Sequence, residues 1–298
     1  MDYFRLYAEY LSEFLDVKQP LRVVFDCSNG TTGLVLKNLF AGKQTPIEAK
    51  LINERPDGNF PAHGPNPLAK GALDQLASAV VMSKSDLGAV FDADGDRVFF
   101  TDNLGRLVRP AAAILLLVSR FAGDLALPVN VGPFVKKALS KIGRKAIDSR
   151  VGHYFLKKLI KEKQLDFAAE QSGHYYFKEF FGLDSGILAA LEFINAAADL
   201  RQPLAQWINQ LPPHFISEEI NFEVADKAAA IAALKEKYGS SAKKTSELDG
   251  LSMEFDQWWF NVRPSNTENL LRLNLEAESE SWFKEKLTEI TDLLFLQG

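Results

Sequence analysis

A chain of 298 residues, 47% hydrophobic and 24% charged, is long enough for two or three domains with filled cores and has an ordinary globular composition. Its formal net charge of −5 excludes a general nucleic-acid binder, which needs a basic face. The single cysteine, Cys27, excludes an internal disulfide framework, no signal peptide is visible, and the longest apolar run, 111–118, is far short of the roughly 20 residues that span a bilayer; a cytoplasmic protein without membrane contact is expected.

Residues 2–15 carry Phe4, Leu6, Tyr7, Leu11, Phe14 and Leu15 at helical spacing, which predicts an amphipathic helix. Residues 21–25 read as a buried strand running into Asp26-Cys27-Ser28-Asn29-Gly30, with a helix following through Phe40. Strand, glycine-containing turn and helix open an α/β unit. A strand is expected at 47–52. Next comes Arg55-Pro56-Asp57-Gly58-Asn59-Phe60-Pro61-Ala62-His63-Gly64-Pro65-Asn66-Pro67, too rich in turn formers for a regular element. A helix over 68–81 leads to a strand before Asp92, and Asp102-Asn103-Leu104-Gly105 turns the hairpin after it.

From Pro110 a second series begins: a helix to 121, a strand near Val129, a helix over 134–142, a strand at 145–147 and a helix to 163. Strands at 166–169 and 175–177 flank Glu170-Gln171-Ser172-Gly173-His174, and Asp184 is expected to cap a long apolar helix through Ala198. Pro212-Pro213 marks a boundary. Beyond it a strand over 214–224, a helix over 226–238, strands at 251–255, 258–262 and 270–275 and a terminal helix predict an α+β domain. The expected domains are 1–107, 108–212 and 213–298.

The densest chemistry is Asp92-Ala93-Asp94-Gly95-Asp96-Arg97 between two apolar strands. Three carboxylates at alternate positions repel one another unless a cation holds them, and oxygen-only ligands suit a hard ion such as Mg²⁺. Arg97 adds a planar fork of donors suited to phosphate. A solvated acidic hairpin is the plain alternative. A calcium EF-hand fails, because its sixth and twelfth positions, Gly and Glu, are here Arg97 and Asn103. A phosphatase with an Asp-x-Asp nucleophile is a weaker rival, since Gly-Asp-Arg follows Asp94.

Two further loops carry donors. Arg263-Pro264-Ser265-Asn266-Thr267 lies between two strands and offers a guanidinium, hydroxyls, an amide and backbone N–H groups to a phosphate, although loop hydroxyls often satisfy only their own backbone. Glu170 and Ser172 stand at i and i+2 beside a glycine, where a carboxylate accepts bonds from neighbouring sugar hydroxyls. Of the four histidines, His63, His153 and His174 lie in polar loops and His214 begins a strand.

Taken in order, these motifs resemble the α-D-phosphohexomutase family on its phosphomannomutase/phosphoglucomutase side. The resemblance rests on Asp26–Gly30, Pro56–Pro67, Asp92–Arg97, Arg150-Val151-Gly152-His153, Glu170–His174 and Arg263–Glu268, and covers nearly the whole chain. It implies two tandem α/β/α domains followed by an α+β C-terminal domain, the family's second to fourth. It implies that Asp92, Asp94 and Asp96 bind Mg²⁺ and that Arg97 belongs to the phosphoryl-transfer site. Glu170 and Ser172 would hold sugar hydroxyls, with His153 and His174 lining the cleft and His174 transferring a proton. Arg263, Ser265, Asn266 and Thr267 would anchor the unreactive phosphate.

The implied reaction interconverts hexose 1- and 6-phosphates, of glucose or mannose, through an enzyme phosphoserine and a 1,6-bisphosphate. Three departures stand out. No Thr-Ala-Ser-His-Asn-Pro-like phosphoserine segment is visible, Gly132 lies near where many relatives carry a basic substrate contact, and Asn269 replaces a usual proline. The expectation is a phosphohexomutase lacking its phosphoserine domain, inactive alone, with a separate phosphoserine domain as a partner. The alternatives are a non-catalytic sugar-phosphate-binding protein or partner subunit, and a Mg²⁺-dependent phosphatase.

Overall fold

The computed structural model describes residues 1–41, 45–265 and 268–295. In chain order come α1 (Tyr3–Ser12), β1 (Leu21–Asp26), α2 (Thr32–Phe40), β2 (Ile47–Ile52), α3 (Asp74–Ser83), β3 (Leu87–Phe91), β4 (Val98–Asp102), β5 (Leu107–Val108) and α4 (Pro110–Val118). Then follow β6 (Leu125–Pro128), α5 (Pro133–Lys141), β7 (Ala146–Ser149), α6 (His153–Lys163), β8 (Phe167–Ala169), β9 (Tyr175–Phe177), β10 (Leu183–Asp184), α7 (Gly186–Ala198) and α8 (Leu204–Asn209). The last stretch holds β11 (Phe215–Ile216), β12 (Ile220–Glu223), α9 (Lys227–Tyr238), β13 (Lys244–Ser246), β14 (Leu251–Glu254), β15 (Trp258–Pro264), β16 (Leu270–Ala277) and α10 (Glu280–Phe295). No described helix is long and apolar enough to cross a membrane. Layered α/β structure followed by an α+β region is the fold class expected above.

The chain divides into two compact units, Met1–Gly123 with Lys163–Leu211, and Asp124–Glu162 with Pro212–Gly298. In the first unit the sheet order is β2-β1-β3-β4-β5. β1 runs parallel to β2 and β3, joined by helical crossovers, and β4 returns antiparallel to β3. Helices cover this sheet, so β3 is apolar and buried throughout, and Val24, Leu76, Val80, Val90 and Phe99 pack as one cluster. Twelve of the thirteen α7 residues are buried, as an all-round apolar helix requires, and Phe193 stacks on Phe100 with ring centroids 3.8 Å apart. β8, β9 and β10 pair antiparallel in the same unit.

In the second unit β6 and β7 pair in parallel, and β15 and β16 form the centre of the antiparallel sheet β11-β16-β15-β14-β13, with β12 also on β16. α9 and α10 supply Leu234, Ile290 and Leu294 to a core with Met253, Phe260 and Leu273.

Three expectations are corrected. The helix expected over 68–81 starts only at Asp74, because Gly71 takes a left-handed backbone (φ +83°) that interrupts the helical run. The strand expected over 214–224 is two strands: the Ser217 hydroxyl, not a backbone carbonyl, accepts the Leu275 N–H, and the ladder breaks there. Asp184 ends β10 and does not cap α7; the Ser185 hydroxyl accepts the Leu188 N–H at 3.2 Å. β5, β10, α8 and β13 are too short to leave a periodic signal.

The first unit holds the 92–97 turn from below through the β1–α2 connection. Thr31 N–H donates to the Ala93 carbonyl at 3.0 Å, and a Cβ on Gly30 would lie 2.2 Å from that oxygen. Gly30→Ala should therefore lower the unfolding free energy by about 1–3 kcal/mol, the usual cost of overpacking. Urea denaturation checks this, and an unchanged midpoint would refute the close approach.

Candidate functional site

Asp92, Asp94 and Asp96 follow the end of β3, where the strand hands over to a six-residue turn. Gly95 takes φ +80°, which lets the turn fold back on itself. The turn is held from two further sides: Gly186 N–H at the start of α7 donates to the Gly95 carbonyl at 3.0 Å, and Val98 N–H donates to the Gly173 carbonyl at 3.1 Å. One oxygen from each of the three aspartates lies within 4.8 Å of the others. Asp92 is buried and Asp94 exposed. Asp92 Oδ1 accepts from Gly95 and Arg97 N–H, and Asp92 Oδ2 accepts from Arg97 Nε at 2.6 Å.

Burial, then the hydrogen bond and charge of Asp92, push Asp96 up to about 6, with Asp94 adding and His174 opposing. Carboxylates crowded this way are short of positive charge. An all-oxygen trio of this reach fits a hard divalent cation such as Mg²⁺.

The loop after β8 brings the other polar groups to the same turn. Arg97 and His174 form an isolated β-bridge. His174 Nε2 lies 3.4 Å from Asp96 Oδ2, and His174 Nδ1 lies 2.9 Å from Ser172 Oγ and 3.4 Å from Glu170 Oε2. Burial works against a charged His174, but the Glu170 hydrogen bond and the charges of Glu170, Asp96 and Asp184 outweigh it and raise its pKa. Tyr176 OH donates to Glu170 Oε2 at 2.8 Å. Arg97, Glu170, Ser172 and His174 are thus gathered with the aspartates in one unit. Sequence reading missed Tyr176, whose only signal is its place on the strand beside Glu170, and Asp184, which joins Asp96 and His174 in an acidic cluster within 4.8 Å.

Ser28 and Cys27 take no visible part. Ser28 Oγ donates to the Phe91 carbonyl and closes the turn, and burial pushes the Cys27 thiol up to about 12. His63 pins the 55–67 loop through Asp26 Oδ2 at 3.2 Å; that bond raises its pKa against the opposing effect of burial.

The second unit holds His153 at the start of α6 and Arg263 and Ser265 at the end of β15. Asn266 and Thr267 lie outside the described residues. Arg263 Nη2 donates to Glu219 Oε2 at 2.7 Å, and Arg272 Nη1 donates to Glu219 Oε1 at 3.0 Å. Arg272 Nη2 also reaches Ser265 Oγ at 3.4 Å and Glu268 Oε2 at 3.2 Å. His214 stacks on Phe134 with centroids 3.6 Å apart, a packing role.

The sequence matches three family profiles in succession. Residues 5–105 match the phosphoglucomutase/phosphomannomutase alpha/beta/alpha domain II, 114–215 match alpha/beta/alpha domain III, and 219–293 match the C-terminal domain of the same family. The chain belongs to the phosphoglucomutase/phosphomannomutase family.

Among family relatives, a phosphomannomutase of Methanocaldococcus jannaschii is 37% identical over 278 residues, which are 92% of this chain and 61% of that protein. "Phosphohexose mutases" of Xanthomonas campestris are 34% identical over 301 residues, 97% of this chain and 66% of theirs. The chain thus spans just under two thirds of the length of the curated relatives it matches. A crystal structure of a phosphoglucomutase/phosphomannomutase family protein from Burkholderia thailandensis superposes with a TM-score of 0.87 at 25% identity, covering 99% of this chain and 64% of that one.

Gly132 has a structural reason to carry no side chain. It precedes α5, where Glu276 of β16 accepts from Gly132 N–H and Phe134 N–H, both at 3.1 Å. A Cβ on Gly132 would lie 2.1–2.4 Å from the Glu276 carboxylate. Sequence reading missed Glu276 because its partners are more than 140 residues away. Burial pushes it up to about 7, against the lowering effects of the two N–H groups, Lys136 and Lys137. An acid raised on folding loses stabilisation as the pH climbs from its ordinary value to the folded one. Unfolding free energy should therefore fall between about pH 4.5 and pH 7 more steeply in the parent chain than in Glu276→Gln. Parallel urea profiles of the two chains across that range would contradict the buried acid.

Proposed function

We propose that residues 1–298 bind Mg²⁺ and a hexose phosphate as the second to fourth domains of a phosphohexomutase. The reaction is the interconversion of hexose 1- and 6-phosphates through an enzyme phosphoserine and a 1,6-bisphosphate. The observation that carries this reading is the gathering of Asp92, Asp94 and Asp96 within 4.8 Å, with His174 3.4 Å from Asp96, in a chain of this family.

Asp92, Asp94 and Asp96 would hold the metal, and what a bound Mg²⁺ supplies there is neutralisation of charge on the transferring phosphoryl oxygens. Arg97, oriented by its bond to Asp92, presents its remaining N–H groups to the same phosphoryl group. Glu170, steadied by Tyr176, and Ser172 receive sugar hydroxyls. His174, whose pKa its acidic neighbours raise against the effect of burial, would give its proton to the sugar oxygen as phosphate departs and take it back in the reverse step. Arg263 and Ser265, with Asn266 and Thr267, bind the phosphate at the far end of the sugar. His153 is the second unit's further candidate for a substrate contact.

A phosphatase using Asp92 as nucleophile is less well supported, because Gly95, Asp96 and Arg97 follow Asp94 where that chemistry expects a small Thr or Val.

The family's phosphoserine belongs to the domain that precedes these three. The expected outcome is that residues 1–298 bind ligands without turnover, and that glucose 1-phosphate becomes glucose 6-phosphate once that domain is supplied. A coupled assay with Mg²⁺ and a trace of glucose 1,6-bisphosphate, with and without a relative's first domain, checks this; hydrolysis to free phosphate would favour the phosphatase.

The metal assignment has its own check. Asp94 is exposed, so Asp94→Asn should leave the fold intact while weakening Mg²⁺ binding at least about tenfold, or about 1.4 kcal/mol. Calorimetric titration giving equal affinity for both chains would end the assignment.

A further inference from the structure

The register of the central hairpin sets two arginines face to face. Arg263 on β15 is the direct cross-strand partner of Arg272 on β16. Directly opposed like charges destabilise an antiparallel pair unless an anion lies between them. Here the anion is Glu219, just before β12, which gives one carboxylate oxygen to each guanidinium, at 2.7 and 3.0 Å. The strand pairing makes this possible: Asn221 on β12 faces Arg272, and Glu219, two residues earlier, projects on the same side of the sheet.

The clamp leaves donors unspent. Arg263 is 7% exposed, and its Nε has no hydrogen-bond partner among the described residues; the same holds for Arg272 Nε. A buried guanidinium N–H without an acceptor costs free energy that a ligand with more oxygens would recover. A carboxylate has two oxygens and one negative charge, whereas a phosphate dianion has three free oxygens and nearly two charges. Glu219 keeps 30% of its side chain exposed, so it has water to move into.

We propose that Glu219 is the resident anion of the Arg263–Arg272 pair, and that a phosphate group binds there by displacing it. This rests on the reading of the Arg263 loop as a phosphate anchor and adds to it a built-in competitor. Glu219 keeps the two arginines together when no ligand is present and lowers the affinity for any incoming anion. Weak monoanions fail to displace it, and a phosphate monoester succeeds, so Glu219 sets a threshold of charge for entry.

The test is calorimetric binding of inorganic phosphate, then of glucose 1-phosphate, to the full 298-residue chain without Mg²⁺. The chains compared are the parent, Glu219→Gln, Glu219→Asp and Arg263→Gln. Removing the competing charge should tighten phosphate binding about tenfold in Glu219→Gln, the size of one charge-assisted hydrogen bond. Arg263→Gln should lose binding. Glu219→Asp keeps the charge but is too short to bridge both guanidiniums, and should also bind more tightly than the parent. A general loss of structure would weaken binding, so a gain cannot come from misfolding. Equal or weaker binding in both Glu219 variants, with loss in Arg263→Gln, overturns the competitor and leaves the anchor standing. Binding that is the same in parent and Arg263→Gln overturns both.

Discussion

Holding three carboxylates on one six-residue turn is the constraint on which the first unit depends. Asp92, Asp94 and Asp96 repel one another, so the backbone that carries them has to be tied from outside. Three sequence-distant segments do this: the β1–α2 connection through Thr31, the start of α7 through Gly186, and the loop after β8 through Gly173. Each tie is a backbone hydrogen bond, which needs a bare approach and so selects small residues at the meeting points. Arg97 supplies one internal counter-charge to Asp92, and Asp96 stays raised through its burial first and then through the hydrogen bond and charge of Asp92. The same ties that hold the turn bring Glu170, Ser172 and His174 beside it.

The second unit meets the mirror-image problem with the same means. There the repulsion is between two guanidiniums, and a carboxylate stands between them. A second carboxylate, Glu276, sits at the N-terminus of α5, where unpaired N–H groups and the helix dipole favour negative charge. Its burial cost shows in its raised pKa, and its volume forbids a side chain at Gly132. The bare position at Gly132 is thus matched by an acidic residue 144 positions away.

Much of this was legible in the order of residues. Strand ends were visible because apolar runs stop at Asp26, Asp92 and Arg263, and functional groups in α/β folds collect at such ends. The acidic trio and the Glu170–His174 loop were recognisable because their members are within six residues of each other. Asp184 was misjudged as a helix cap because Asp and Ser are both good caps and adjacent; only the position of the Leu188 N–H distinguishes them. The strand around Ser217 was overextended because a hydroxyl standing in for a carbonyl leaves no trace in hydrophobic periodicity.

The amino-acid sequence by itself determined the family, the longer elements and the local clusters of polar residues, since these depend on short-range spacing and on which residue types stand together. The tertiary structure alone decided which distant groups meet them. Tyr176 reaches Glu170 because β8 and β9 fold back on each other. Arg272 faces Arg263 because the β15–β16 register is in step, and Glu219 reaches both because β12 adds to β16. Hydrogen bonds and ion pairs act over a few ångströms of space, whereas the partners they join among the described residues are separated by up to 181 positions of chain.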